Sequence, residues 1–125
     1  MLYTDGACSH NQDYRLRRAG YGVYWGPSHF NNRGRPLEGP VQTNQRAELQ
    51  AVVVALQQEN CRMDIRTDSR YVLEGAMIHR AQWRRKGWLH VENGDLWAIV
   101  DEELLDVALI RVPQICLSTS WPFGL

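Results

Sequence analysis

Asn44-Gln45-Arg46-Ala47-Glu48-Leu49-Gln50-Ala51-Val52-Val53-Val54-Ala55-Leu56-Gln57-Gln58 is the stretch on which the fold turns. Ala47, Ala51, Val54 and Ala55 share one stripe, and Leu49, Val52, Val53 and Leu56 widen it, which is the 3.6-residue period of a well-buried helix. Asn44 is the expected N-cap. Towards the C-terminus, Met63 to Thr67 reads as a strand between polar boundaries, and Ser69 is placed to cap a second helix running to about Ile78. Towards the N-terminus, Met1 to Thr4 is a short β-prone segment followed by a polar, basic loop from Cys8 to Arg18. Ala19 to Trp25 alternates, with Tyr21, Val23 and Trp25 opposite Gly20, Gly22 and Tyr24, as a half-buried strand does. His29 to Asn32 is expected as a third strand and Gly34 to Pro40 as loop, so the N-terminal third is read as a β-meander.

Strand, helix, strand, helix in succession requires parallel pairing after that meander. Beyond it, Arg80 to His90 is basic and aromatic, Asn93 is placed to cap a helix over Asp95 to Leu105, and Val107 to Val112 is β-prone. The expected order is βββαβα(α)αβ, an α/β domain without repeats.

The chain has 125 residues, enough for one core, and 44% hydrophobic content that excludes a disordered or fibrous class. No apolar run approaches the ~18 residues of a membrane span, so no membrane partner is expected. Fourteen Lys and Arg balance fourteen Asp and Glu, so affinity for a polyanion must come from a local patch. Cys8, Cys61 and Cys116 are odd in number and lack metal-ligand spacing, which favours a reducing, intracellular setting. Met1 leads straight into Leu2-Tyr3-Thr4-Asp5 with no basic or apolar leader, so the expectation is either that the protein stays where it is made or that its leader is missing.

Tyr3-Thr4-Asp5-Gly6-Ala7, Gly20-Tyr21-Gly22-Val23-Tyr24-Trp25-Gly26, Thr43-Asn44-Gln45-Arg46-Ala47-Glu48, Thr67-Asp68-Ser69 and Asn93-Gly94-Asp95-Leu96-Trp97 follow one another in a familiar order and spacing. In these segments the chain resembles a type 1 ribonuclease H over about residues 2 to 113. The resemblance implies a mixed five-stranded sheet, three antiparallel strands plus parallel ones, flanked by helices, with the family's last helix missing. It assigns residues 1–113 to a ribonuclease H-like domain and 114–125 to a divergent tail.

It also implies metal-dependent hydrolysis of the RNA strand of an RNA/DNA hybrid, with Asp5, Glu48 and Asp68 as catalytic residues holding two Mg²⁺, for which Mn²⁺ is a substitute. Carboxylates around a phosphodiester would repel it unless they hold divalent cations. Matching positions give substrate contacts at Cys8, Asn11, Asn44, Gln45, Ser69 and Arg70, facing 2′-hydroxyls and bases of the minor groove. Thr43 and Asn93 match a pocket for a DNA-strand phosphate. Trp83, Arg84, Arg85, Lys86 and Trp88, with Arg80, match the basic protrusion that grips the DNA strand, and they are the local patch that the neutral net charge requires. A monomer without an obligate protein partner is expected.

The match stops at Val112-Pro113. The family continues with a Gly-His-Ser loop and a helix bearing a fourth aspartate, whereas Gln114 to Leu125 contains neither loop histidine nor acid. The loss puts water activation in doubt and leaves alternatives open: a hybrid-binding module without catalysis, or a truncated, non-functional form of low stability with an uncovered apolar sheet face.

Overall fold

A computed structural model describes residues 1–9, 16–59, 63–105 and 114–117. Its strands are β1 (Leu2–Ser9), β2 (Arg18–Tyr24), β3 (Arg33–Pro36), β4 (Asp64–Thr67) and β5 (Gln114–Leu117). Its helices are α1 (Asn44–Gln58), α2 (Arg70–Glu74), α3 (Arg80–Arg85) and α4 (Gly94–Leu104), with a π-helical turn, Gly75–His79, joining α2 to α3. The five strands form one sheet in the order β3-β2-β1-β4-β5, antiparallel through β3, β2 and β1 and parallel through β1, β4 and β5.

Register explains how the core forms. Leu2 pairs with Ile65 and Ile65 with Ile115, so three apolar side chains line up across the parallel strands. All three are buried against Leu49, Val52, Val53 and Leu56 of α1, the stripe that the helical period assigned to the core. Trp97 of α4 is fully buried and closes the layer of helices over α1.

The limits of some elements differ from those expected. β1 runs on to Ser9 because its backbone keeps pairing with β2 out to the Ser9–Arg18 pair, and polar side chains do not end a strand whose partner continues. The third strand is Arg33–Pro36 instead of His29 to Asn32. Residues 26–32 are instead closed as turns by His29 N–H to Gly26 O and Asn32 N–H to His29 O, and by Asn32 Oδ1 accepting from the Trp25 amide. Pro36 is tolerated because β3 is an edge strand.

Val107 to Val112 lies outside the described residues, and the fifth strand is formed by Gln114–Leu117, at the start of the segment expected as a tail. Among the described residues no helix follows α4. None of the large exposed apolar side chains among them sits on a strand. On the face away from α1, β1 and β2 place the Tyr3–Tyr24 pair at one end and Asp5, Ala7, Gly20 and Gly22 beyond it. No described helix is long and apolar enough to cross a membrane.

Candidate active site

Thr4 pairs with Thr67 across the parallel strands, so the next residue of each chain segment, Asp5 and Asp68, emerges at the same level of the sheet. The third acid, Glu48, comes from the start of α1, which crosses β1 at Gly6. A Cβ on Gly6 would lie 2.7 Å from the Ala47 carbonyl carbon, so only glycine lets the helix sit this close. As a result one carboxylate oxygen from each of Asp5, Glu48 and Asp68 lies within 4.8 Å of the others.

The local electrostatics are those of crowded acids. Burial and then the neighbouring Asp68 carboxylate push Asp5 up from its ordinary value, while the Gly6 amide, donating to Asp5 Oδ1 at 2.8 Å, pulls it down. Burial is also the main reason that Glu48 is raised, and Asp68 and Asp5 add to it. The Ser69 side chain, as a hydrogen-bond donor, opposes that rise. Three oxygen donors at this spacing, two of them costly to ionise, suit a hard divalent cation that takes carboxylate ligands. The cluster therefore fits Mg²⁺ or Mn²⁺ by donor type and by charge.

Around it, Ser69 is buried and does two jobs, since its Oγ also accepts the Val72 amide at 3.1 Å and caps α2. Asn44 and Gln45 are exposed on the first turn of α1, close in sequence to Glu48. The cap of α1 is Thr43, not Asn44: its Oγ1 accepts the Arg46 amide at 3.1 Å, because the extended backbone falls at Thr43 and Asn44 is already helical. The Cys8 thiol donates to the Gln42 carbonyl at 3.3 Å, Arg70 is exposed beside Glu74, and Asn11 lies outside the described residues.

Asn93 occupies the cap position of α4 in a left-handed conformation but makes no capping bond with its side chain. That side chain is used across the structure: Asn93 Oδ1 accepts from Arg46 at 3.1 Å, and its Nδ2 donates to the Tyr71 hydroxyl at 3.1 Å. Arg46 also forks onto Asp95 at 3.0 and 2.7 Å, and Trp97 Nε1 donates to the same Tyr71 hydroxyl at 2.9 Å. The sequence reading missed Tyr71, Asp95 and the role of Arg46. Their separations in sequence, up to 49 residues, leave no local pattern to read.

The basic segment divides. Arg80 and Arg84 both point at Asp101 of α4, a carboxylate only 5% exposed, at 2.7 and 3.0 Å. Arg85 and Lys86 are exposed. Trp83 is half-buried, stacked on His79 at 5.3 Å and tilted against Trp97 at 5.3 Å, and Trp88 is half-buried with a left-handed backbone. Arg84 thus reaches Asp101 while its side chain stays 42% exposed.

Residues 1–113 match the RNase H family. The chain is 42% identical over 92 residues to Ribonuclease H1 of Homo sapiens, a match that covers 70% of this chain and 32% of that protein. The chain thus spans about a third of the length of the mammalian relatives it matches. It is 36% identical over 110 residues to Ribonuclease H of Alcanivorax borkumensis, covering 81% of this chain and 68% of that one. Its fold is shared with the foamy viral protease-reverse transcriptase in its complex with RNA/DNA hybrid, at a TM-score of 0.75 and 24% identity, over 94% of this chain and 17% of that one. With the carboxylate cluster in place on a mixed sheet and the family match running through it, the chain belongs to the RNase H family.

Proposed function

We propose that this chain binds RNA/DNA hybrids and hydrolyses the RNA strand at the Asp5, Glu48 and Asp68 cluster with a divalent cation, Mg²⁺ foremost. The observation that carries the reading is the meeting of these three carboxylates within 4.8 Å, from β1, from α1 and from the link between β4 and α2. A bound cation would neutralise the phosphodiester and polarise it towards attack. In the reaction a water oxygen bonds to phosphorus as the bond to the 3′-oxygen breaks, leaving a 3′-hydroxyl and a 5′-phosphate. Asp5 and Glu48 are half-buried and Asp68 is exposed, so the cluster is open to a substrate while part of its charge is drawn out of water. Asn44 and Gln45 offer exposed amide groups beside the cluster, of the kind that read 2′-hydroxyls and tell RNA from DNA. Arg85 and Lys86 offer free cations for phosphates.

A second reading, hybrid binding without cleavage, is favoured by the lack of any Asp or Glu in residues 107–125, where the family's fourth acid would be sought. One experiment separates the two: a labelled RNA/DNA hybrid incubated with Mg²⁺ and the chain or its Asp5→Asn variant. Cleavage by the unaltered chain and loss in Asp5→Asn supports the hydrolase. Hybrid binding with no cleavage supports the binding module, and cleavage by Asp5→Asn at the original rate rules out this site.

A further inference from the structure

Arg80, Arg84, Arg85 and Lys86 stand within seven residues, yet the fold uses them in two different ways. Arg80 is anchored twice: its Nε donates to the Ala76 carbonyl at 3.1 Å and its Nη1 to Asp101 Oδ1 at 2.7 Å. The first bond lies inside the π turn, where the Arg80 amide reaches back to the Gly75 carbonyl. Arg84 Nε reaches the same carboxylate, 3.0 Å from Oδ2. Asp101 is therefore a single buried acceptor holding two successive turns of α3 against α4.

The packing around this clamp is close. Gly75 sits where a Cβ would collide with the Trp97 indole, and Trp83 meets the same indole at 5.3 Å. α3 has no buried residue of its own, so its direction depends on the indole contact and on Asp101. Arg85 and Lys86, which end this helix and carry no ion pair among the described residues, take their direction from it.

We infer that Asp101 is a positioning residue for hybrid binding, one that fixes α3 through Arg80 and Arg84 so that Arg85 and Lys86 face the phosphates. The inference rests on the proposed hybrid-binding function. Its sign is the informative part. Removing a negative charge from a polyanion-binding region should tighten binding if only the field mattered. Loss of positioning acts in the opposite direction, because contacts are made only by cations held in the correct place.

The test is the Kd of the full chain for a short fluorescent RNA/DNA hybrid in EDTA, where no cleavage occurs, over a range of salt. Asp101→Asn, with folding checked by circular dichroism, is expected to weaken binding about tenfold, within the usual range for coupled neighbours. The slope of log Kd against log salt should drop by about two, the share of two phosphate contacts. Arg85→Ala/Lys86→Ala should show the same loss, and adding Asp101→Asn to that pair should change nothing further. A folded Asp101→Asn that binds as tightly as the unaltered chain, or more tightly, overturns the inference. If Asp101→Asn does not fold, Arg80→Met removes the less exposed of its partners, and unchanged affinity there overturns it equally. If the unaltered chain binds no hybrid, the functional reading itself fails.

Discussion

Gly6 and Glu48 meet where β1 passes beneath the first turns of α1, and a Cβ on Gly6 would fall on the Glu48 amide nitrogen. The backbone contact that brings the helix to the strand is the same one that brings the second acid to the first. Gly6→Ala is therefore expected to do more than destabilise. Overpacking of this kind costs about 1–3 kcal/mol, and the helix must lift, taking Glu48 away from Asp5. Thermal melts and Mg²⁺ titration by calorimetry check it. A variant that melts like the parent and binds Mg²⁺ equally would mean that the contact is slack.

Burial of Asp5 and Glu48, with their crowding added, sets a pH dependence opposite to that of an ordinary paired carboxylate. Asp5 and Glu48 are both raised, foremost by burial, so the folded chain holds protons that the unfolded chain has already lost. Without a divalent cation, their contribution to stability should be best at low pH and decline as pH rises from the normal carboxylate range through the raised values. Mg²⁺ should reverse the decline, and its own affinity should fall with acidification, since protons compete for the same oxygens. Melting temperatures of the chain and of Asp5→Asn, measured against pH with and without Mg²⁺, decide the matter. A difference between the two proteins that does not vary with pH would count against it.

Tyr71 accepts two hydrogen bonds, from Asn93 Nδ2 and from the indole N–H of the fully buried Trp97. Burial, its leading influence, raises the phenol and keeps it protonated. Tyr71→Phe leaves the indole donor without this partner, and a cost of about 1–3 kcal/mol is expected. Urea denaturation measures it; a loss well under that range would show that water replaces the hydroxyl freely.

Gly75 lies under the Trp97 ring, with Trp97 Cε2 3.1 Å from where a Cβ would stand. Gly75→Ala should force the π turn and α4 apart and lower stability by about 1–3 kcal/mol. Because α3 continues from this turn, hybrid affinity should fall along with the melting temperature. Intact affinity with lowered stability would separate the turn from the binding surface.

Much of this arrangement was legible in the residues. The helix Asn44–Gln58 is legible in all but its first residue because its signal, an apolar stripe every three to four residues, is contained within the segment itself. Ser69 as a cap is local in the same way, acting three residues ahead. The ends of β1 and β3 were harder, because a strand ends where its neighbour stops pairing, and Ser9 and Arg33 are defined by partners on β2. By residue type Asn44 is as good a cap as Thr43, since either can accept an amide, and only the backbone angles choose Thr43.

The sequence by itself determined the helix and strand types, the parallel step after the meander, and the identity of the three acids, because each follows from periodicity or from a short motif. Only the tertiary structure decided which charges stay free. Arg46 is drawn to Asp95 and Asn93, and Arg80 and Arg84 to Asp101, by partners 17 to 49 residues away, leaving Arg85 and Lys86 exposed. The physical reason is that a charge removed from water must find an opposite charge or a hydrogen-bond partner wherever the packed chain places one.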